Sequence, residues 1–306
     1  MTSTRLIHHV GVGAMEWLYA HRDGFRLEPD VDPEIGFLER FKPVGELALI
    51  CKVLFREGVA GSRQAQLARQ LMDHVWRHTL DGGRMLVRGQ RTEPLSHIPF
   101  EVYVPFKELG YHHPEVERAI RLNHRLAGSA ALEVTPVRRL ALSASQRRFG
   151  LSPLPPEADV VGSTWLGRTP EPWTVEGHIA YDITHTVFHL TDWGENPDGL
   201  PPGIADYLAT WLPAWLDDWL DLERWDLLGE LLVVDASLPR PTLDEQAWEG
   251  FAAAQQPDGA MPALREMPKG DPDEVFDVVY HSTLVAAFAS VMATSRALTG
   301  LAHTPA

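Results

Sequence analysis

Gly177-His-Ile-Ala-Tyr-Asp-Ile-Thr-His-Thr-Val-Phe-His-Leu-Thr-Asp192 is the stretch on which the reading of this chain turns. It reads as a helix. His178, Asp182, His185 and His189 recur at steps of four, three and four, so all four share one helical face. Tyr181, Val187, Phe188 and Leu190 fill the neighbouring positions with apolar bulk. Three imidazoles and a carboxylate on an otherwise apolar helix are costly to bury unless something pairs them. The stripe is therefore expected to face a metal ion or a substrate.

Helical period continues on both sides of this stretch. Alternating Val/Ile/Thr runs of strand length are scarce, and Leu, Ala, Glu, Arg and Trp dominate the periodic segments. Helices are expected at 5–22, 44–56, 62–79, 98–109, 115–127, 134–149, 175–191, 204–220, 222–236, 244–256 and 274–298. Pro29 to Pro33 break the chain, Asp81-Gly-Gly stops a helix, and the Pro/Gly-rich residues 150–174 read as a long connection, a lid or a subdomain seam. The fold class is all-α, with residues 1–306 as one domain. More apolar helices (44–56, 98–109, 134–149, 175–191, 222–236, 274–298) tend to alternate with amphipathic ones, at a spacing on the order of 40–50 residues that suits helical-hairpin repeats. Six such pairs can close into an α/α toroid with the apolar helices around a central cavity; an open array would show the same alternation.

The 306 residues carry a formal net charge of -15, which argues against non-specific attraction to nucleic acid or an anionic membrane. Cys51 is the only cysteine, so no intramolecular disulfide forms, and its apolar surroundings make it a core residue. Met1–Val10 lacks the apolar stretch of a signal peptide, and no run approaches the roughly 18 apolar residues of a membrane span. A soluble, cytoplasmic protein acting on a small-molecule or peptide substrate is expected.

Two passages carry a resemblance. Phe251-Ala-Ala-Ala-Gln-Gln-Pro-Asp-Gly-Ala-Met261 resembles the Gln-x-x-Asp-Gly turn that links helices in the α/α-toroid group of terpene cyclases and protein prenyltransferases. Asp277-Val-Val-Tyr-His-Ser-Thr-Leu-Val-Ala-Ala-Phe288 resembles the Tyr-His-Thr helix of prenyltransferase β subunits. The resemblance implies the toroid fold and a zinc-ligand role for His281. The family's zinc cysteine and the cyclases' Asp-x-Asp-Asp motif have no counterpart here, so prenyl transfer is not implied.

Metal binding is the leading chemistry. His185 and His189, four apart, can present imidazoles to one ion, and Asp182 could replace His189. Asp182 and His189 lie about 10 Å apart along the axis, so two ligands are expected from this helix and a third from elsewhere, with His281 foremost. The expected metal set is thus Asp182, His185, His189 and His281, which suits zinc and non-haem iron alike; the resemblance to prenyltransferase β subunits implies zinc in preference to iron. Glu46, Glu101 and Glu230 sit in apolar helical runs and are candidates for general acid or base, with Glu230 and Glu46 foremost. His178, His97 and Tyr280, beside His281, are weaker candidates of the same kind. Asp217-Asp-Trp-Leu-Asp221 spells the Asp-Asp-x-x-Asp of class I terpene synthases but lies on an amphipathic helix, where a solvated acidic face is favoured. The tryptophans of that region could line an aromatic pocket, though helix-packing anchors are the simpler reading. No serine elbow, phosphate loop or dinucleotide fingerprint occurs. The expectation is a metal-dependent hydrolase or transferase; a metal-free cyclase or isomerase and a non-catalytic binding scaffold are the alternatives.

Overall fold

The computed structural model describes residues 4–27, 39–153 and 157–302, and among these every regular element is helical. The helices are α1 (Thr4–Ala20), α2 (Lys42–Glu57), α3 (Arg63–His74), α4 (Arg84–Thr92), α5 (Ile98–Glu108), α6 (Pro114–Asn123), α7 (Ala127–Ala131), α8 (Pro136–Phe149), α9 (Glu157–Val161), α10 (Gly177–Leu190), α11 (Pro202–Asp221), α12 (Trp225–Ser237), α13 (Glu245–Ala254) and α14 (Pro272–Ala302). The Pro29–Pro33 break lies outside the described residues.

Local chemistry sets several boundaries. Ser62, Thr135 and Asp244 accept from the backbone N–H three residues on and so cap α3, α8 and α13. Pro114 and Pro136 open their helices, where a missing N–H costs nothing. Gly82 and Gly83 take positive φ and turn the chain from the π-helical turn after α3 into α4, a helix the periodicity did not predict. Of the 150–174 connection, α9 packs on α8, while Pro170 and Pro172 carbonyls accept from Tyr207 Oη (2.6 Å) and Trp215 Nε1 (3.0 Å), which ties its far end to α11.

The more apolar helices pack in an order: α2 on α5, α5 on α8, α8 on α10, α10 on α12, α12 on α14, and α14 on α2. The others cover them, with α1 against α14, α3 against α2, α4 and α6 against α5, and α11 and α13 against α12. α12 is buried on every side, as a helix enclosed by partners must be. Gly229 lets it approach closely, since a Cβ there would stand 2.7 Å from Val285 Cγ1 and 2.9 Å from Phe251 Cζ. The turn after α13 is pinned to α1: Gln255 Nε2 donates to the carbonyls of Val10 (2.9 Å) and Gly259 (3.0 Å), and Gly259, at φ 97°, passes so close to Gly13 that no side chain fits.

α14 corrects one expectation. It is long and apolar enough to cross a membrane by length and composition, but 72% of its most apolar window is buried inside the protein, as in the core helix of a globular fold. Cys51 is fully buried, and desolvation raises its thiol pKa, as expected of a core cysteine.

Candidate functional site

α14 packs against both α2 and α12, and this brings residues distant in sequence to one place. α2 supplies Glu46 in its second turn. α12 supplies Asp226 and Glu230, one turn apart at its N-terminal end, where the positive end of the helix dipole favours a carboxylate. α14 supplies Tyr280 and His281. α10 supplies Tyr181, Thr184 and His185.

His281 is the centre. Its Nδ1–H donates to Asp226 Oδ1 at 2.7 Å, and its Nε2 lies 3.7 Å from Glu230 Oε1 and 3.8 Å from Glu46 Oε1. Asp226 Oδ2 accepts from Tyr181 Oη at 2.5 Å, and Glu46 Oε2 from Tyr280 Oη at 3.2 Å. Lys42 Nζ stands 3.7 Å from Glu46 Oε1. Asp226, Glu230 and His281 each offer a ligand atom within 4.8 Å of the others, the one such group among the described residues that could hold a metal ion.

The electrostatics are those of an acidic site short of positive charge. Burial pushes Glu230 up, and the neighbouring Asp226 and Glu46 charges add to it against the pull of His281, leaving its pKa near 8. Burial would lower His281, but the Asp226 charge and hydrogen bond, then Glu46 and Glu230, raise it to about 10. Asp226 is pushed up by burial and held below the usual range by the His281 imidazolium and its hydrogen bonds. Thr184 Oγ1 stands within donating reach of both Glu230 Oε2 and the Tyr181 carbonyl (3.0 Å), and its donation to Glu230 favours the carboxylate, partly offsetting the burial that raises the Glu230 pKa.

The expected ligands Asp182, His185, His189 and His281 are not gathered around one point, and this is the main correction. A stripe from residue 178 to 189 runs about 16 Å along its helix, too far to converge. His178 lies at the solvent end, its side chain 73% exposed beside Glu176. Asp182 is half-buried and outside the cluster. His185 borders it: its Nδ1, hydrogen-bonded to the Tyr181 carbonyl at 2.9 Å, is 3.7 Å from Glu230 Oε2. Desolvation lowers the His185 pKa although 37% of its side chain is open to solvent, the combination of a group lining a concavity. His189 is buried deeper, its Nδ1 lacks a partner, and desolvation pushes it well below the ordinary value. Glu230, Glu46, Tyr280 and His281 do come together.

Asp226 and Tyr181 are the members of the cluster that sequence reasoning missed. The available signal was Asp226 and Glu230 at i and i+4 within Trp225-Asp-Leu-Leu-Gly-Glu-Leu-Leu, two acids on one face of an apolar helix. Elsewhere, Glu101 is engaged by Arg138 at 2.7 Å, and His97 lines a small polar hollow with His124 and Gln146. Asp217, Asp218 and Asp221 are exposed on α11, while Trp215 and Trp225 anchor loops through the carbonyls of Pro172 and Arg265.

Residues 11–291 match the model of the family described as Domain of unknown function (DUF6895), and the chain belongs to that family. No curated protein and no solved structure matches it.

Proposed function

We propose that this DUF6895 chain is a metal-dependent enzyme built on an α/α toroid, with a divalent ion, zinc in preference to iron, held by His281 and Glu230 and with Glu46 the further carboxylate facing the same nitrogen. The toroid is supported by the packing order of the inner helices, in which α14 returns to α2. It is supported too by the pinned Gln255–Gly259 turn, which resembles the helix-linking turn of terpene cyclases and protein prenyltransferases. Glu46, Asp226 and Glu230 stand in the first two turns of their helices, so the site belongs to the N-terminal end of the ring.

One observation carries the metal reading: His281 Nε2 lies 3.7 Å from Glu230 Oε1 and 3.8 Å from Glu46 Oε1 while Asp226 holds the opposite nitrogen. Donors at about 2.0–2.2 Å from a tetrahedral ion stand roughly 3.4 Å apart, so the separation of each glutamate from Nε2 is near that of two ligands of one ion, whereas the 2.7 Å Asp226 contact is that of a hydrogen bond. Asp226 then orients the ring, with Tyr181 fixing Asp226 in turn. Bound zinc would supply a Lewis acid and an acidified water, which fits hydrolysis or group transfer on a small-molecule or peptidic substrate. His185, on the open side of Glu230, is placed to exchange a proton with such a substrate.

A second reading is favoured by the raised pKa of Glu230, which keeps it protonated at neutral pH: a metal-free general acid, with His185 as its partner, of the kind a cyclase or isomerase uses. Calorimetric zinc titration of chelator-stripped, untagged protein separates the two. One equivalent bound by the wild type and none by His281→Ala supports the metal centre; no binding by the wild type rejects it and leaves the metal-free acid.

A further inference from the structure

The outer helices α4 and α6 pack side by side and leave a groove of about 610 Å³ along their seam. Val87, Ala119, Leu122 and Leu126 form its apolar wall. The groove runs on into a second hollow of about 460 Å³ that shares Val87, Arg91 and Glu115 with it. Leu122 is 62% exposed, and Leu126 in the same groove is 38% exposed. Two leucines left in water along one groove mark an interaction surface rather than scattered surface apolars.

The rim is basic. Arg84, Arg88, Arg91 and Arg118 line the two hollows, all of them exposed. Arg84 is shared with Asp81 and Arg91 with Glu115, both as exposed pairs that contribute little. Residues 84–150 carry eleven basic side chains against six acidic ones, in a chain whose net charge is -15. A cationic groove on an otherwise acidic protein selects its occupant by charge. Ala119 and Leu122, three apart, share one face of α6, and Leu126, in extended backbone just before α7, continues the apolar wall that can receive the apolar face of another helix. The groove lacks an aromatic platform among its lining residues and holds Glu115, which would repel a continuous phosphate backbone.

We infer that this groove docks an acidic amphipathic helix of a partner protein, its apolar stripe on Leu122 and Leu126 and its carboxylates on the arginine rim. The inference is independent of the metal site. The test uses the full-length chain and two fluorescein-labelled model helices with the same leucine stripe, one with glutamate and one with lysine on the polar face. Fluorescence anisotropy should show the glutamate helix binding at least tenfold tighter, with affinity falling as salt rises. Leu122→Asp, and separately the Arg88→Glu/Arg118→Glu pair, should each weaken binding at least tenfold with an unchanged melting midpoint; both alter exposed positions, so a folded protein is expected, and either variant alone decides the matter if the other fails to fold. Equal binding of the two helices, or binding that survives the variants, overturns the inference. Displacement of the glutamate helix by a random-sequence duplex oligonucleotide at stoichiometric concentration would assign the face to nucleic acid and overturn it as well.

Discussion

Asp226 Oδ1 and His281 Nδ1 lie 2.7 Å apart, and this hydrogen bond aims the other nitrogen of the same ring between Glu230 and Glu46. The relationship joins the first turn of α12 to the third turn of α14 and settles which atom of His281 is free. Asp226→Asn keeps an acceptor but removes the charge that makes the ring a good donor to a metal. Its zinc affinity is expected to fall about 10–100-fold, as for other groups that orient a ligating histidine. Calorimetry checks this, and unaltered affinity would remove Asp226 from the site.

Gly229, next to Glu230, is where α12 meets α14 most closely. Gly229→Ala gains about 1 kcal/mol of helix propensity and forces a Cβ against Val285 and Phe251, an overpacking that costs about 1–3 kcal/mol. The net expectation is a loss of roughly 1 kcal/mol and a lower melting midpoint, with weaker zinc binding because Glu230 shifts against His281. A midpoint that rises would mean the interface yields freely.

Gln255→Ala removes the hydrogen bond that holds the α13–α14 turn on α1, at Val10, and the one that closes the turn on itself, at Gly259. A loss of about 1–3 kcal/mol in urea unfolding is expected, with zinc affinity unchanged, since the turn does not contribute to the cluster. Loss of zinc binding in a folded variant would tie the turn to the site.

His97 sets an acid limit on stability. Burial first, then Arg138 and Arg139, depress its pKa from 6.5 to about 4. Between those values the unfolded chain binds a proton that the folded chain does not, so stability is present above pH 6.5 and is lost as pH falls toward 4. The cost at full protonation, discounted for partial exposure, is about 1–2 kcal/mol. The urea midpoint should drop over this window, and drop less in His97→Gln; parallel behaviour of the two proteins would show that His97 takes no part.

Much of the helical layout was legible because burial repeats with the helical period. The apolar runs at 44–56, 98–109, 134–149, 175–191, 222–236 and 274–298 coincide within a few residues with α2, α5, α8, α10, α12 and α14. α4 escaped because its sequence, Arg-Met-Leu-Val-Arg-Gly-Gln-Arg-Thr, offers barely two turns and few apolar positions. The site was legible only in part. His281, Glu230, Glu46 and Tyr280 stood out as polar groups in apolar helices, and packing brought them together. The stripe on α10 misled because a shared face is not a shared point: its four groups are spread along the axis, and only His185 reaches the neighbourhood of Glu230. Asp226 was hidden by position, since an aspartate in a first turn is ordinarily explained by the helix dipole alone.

Zinc K-edge X-ray absorption of the zinc-loaded, untagged protein tests the central claim most directly. The account predicts one imidazole in the coordination sphere, the remaining ligands all oxygen at about 2.0–2.2 Å, and a sphere that loses its imidazole signature in His281→Ala. Two or more imidazoles, or a spectrum unchanged in His281→Ala, would contradict it and return the metal to the histidines of α10.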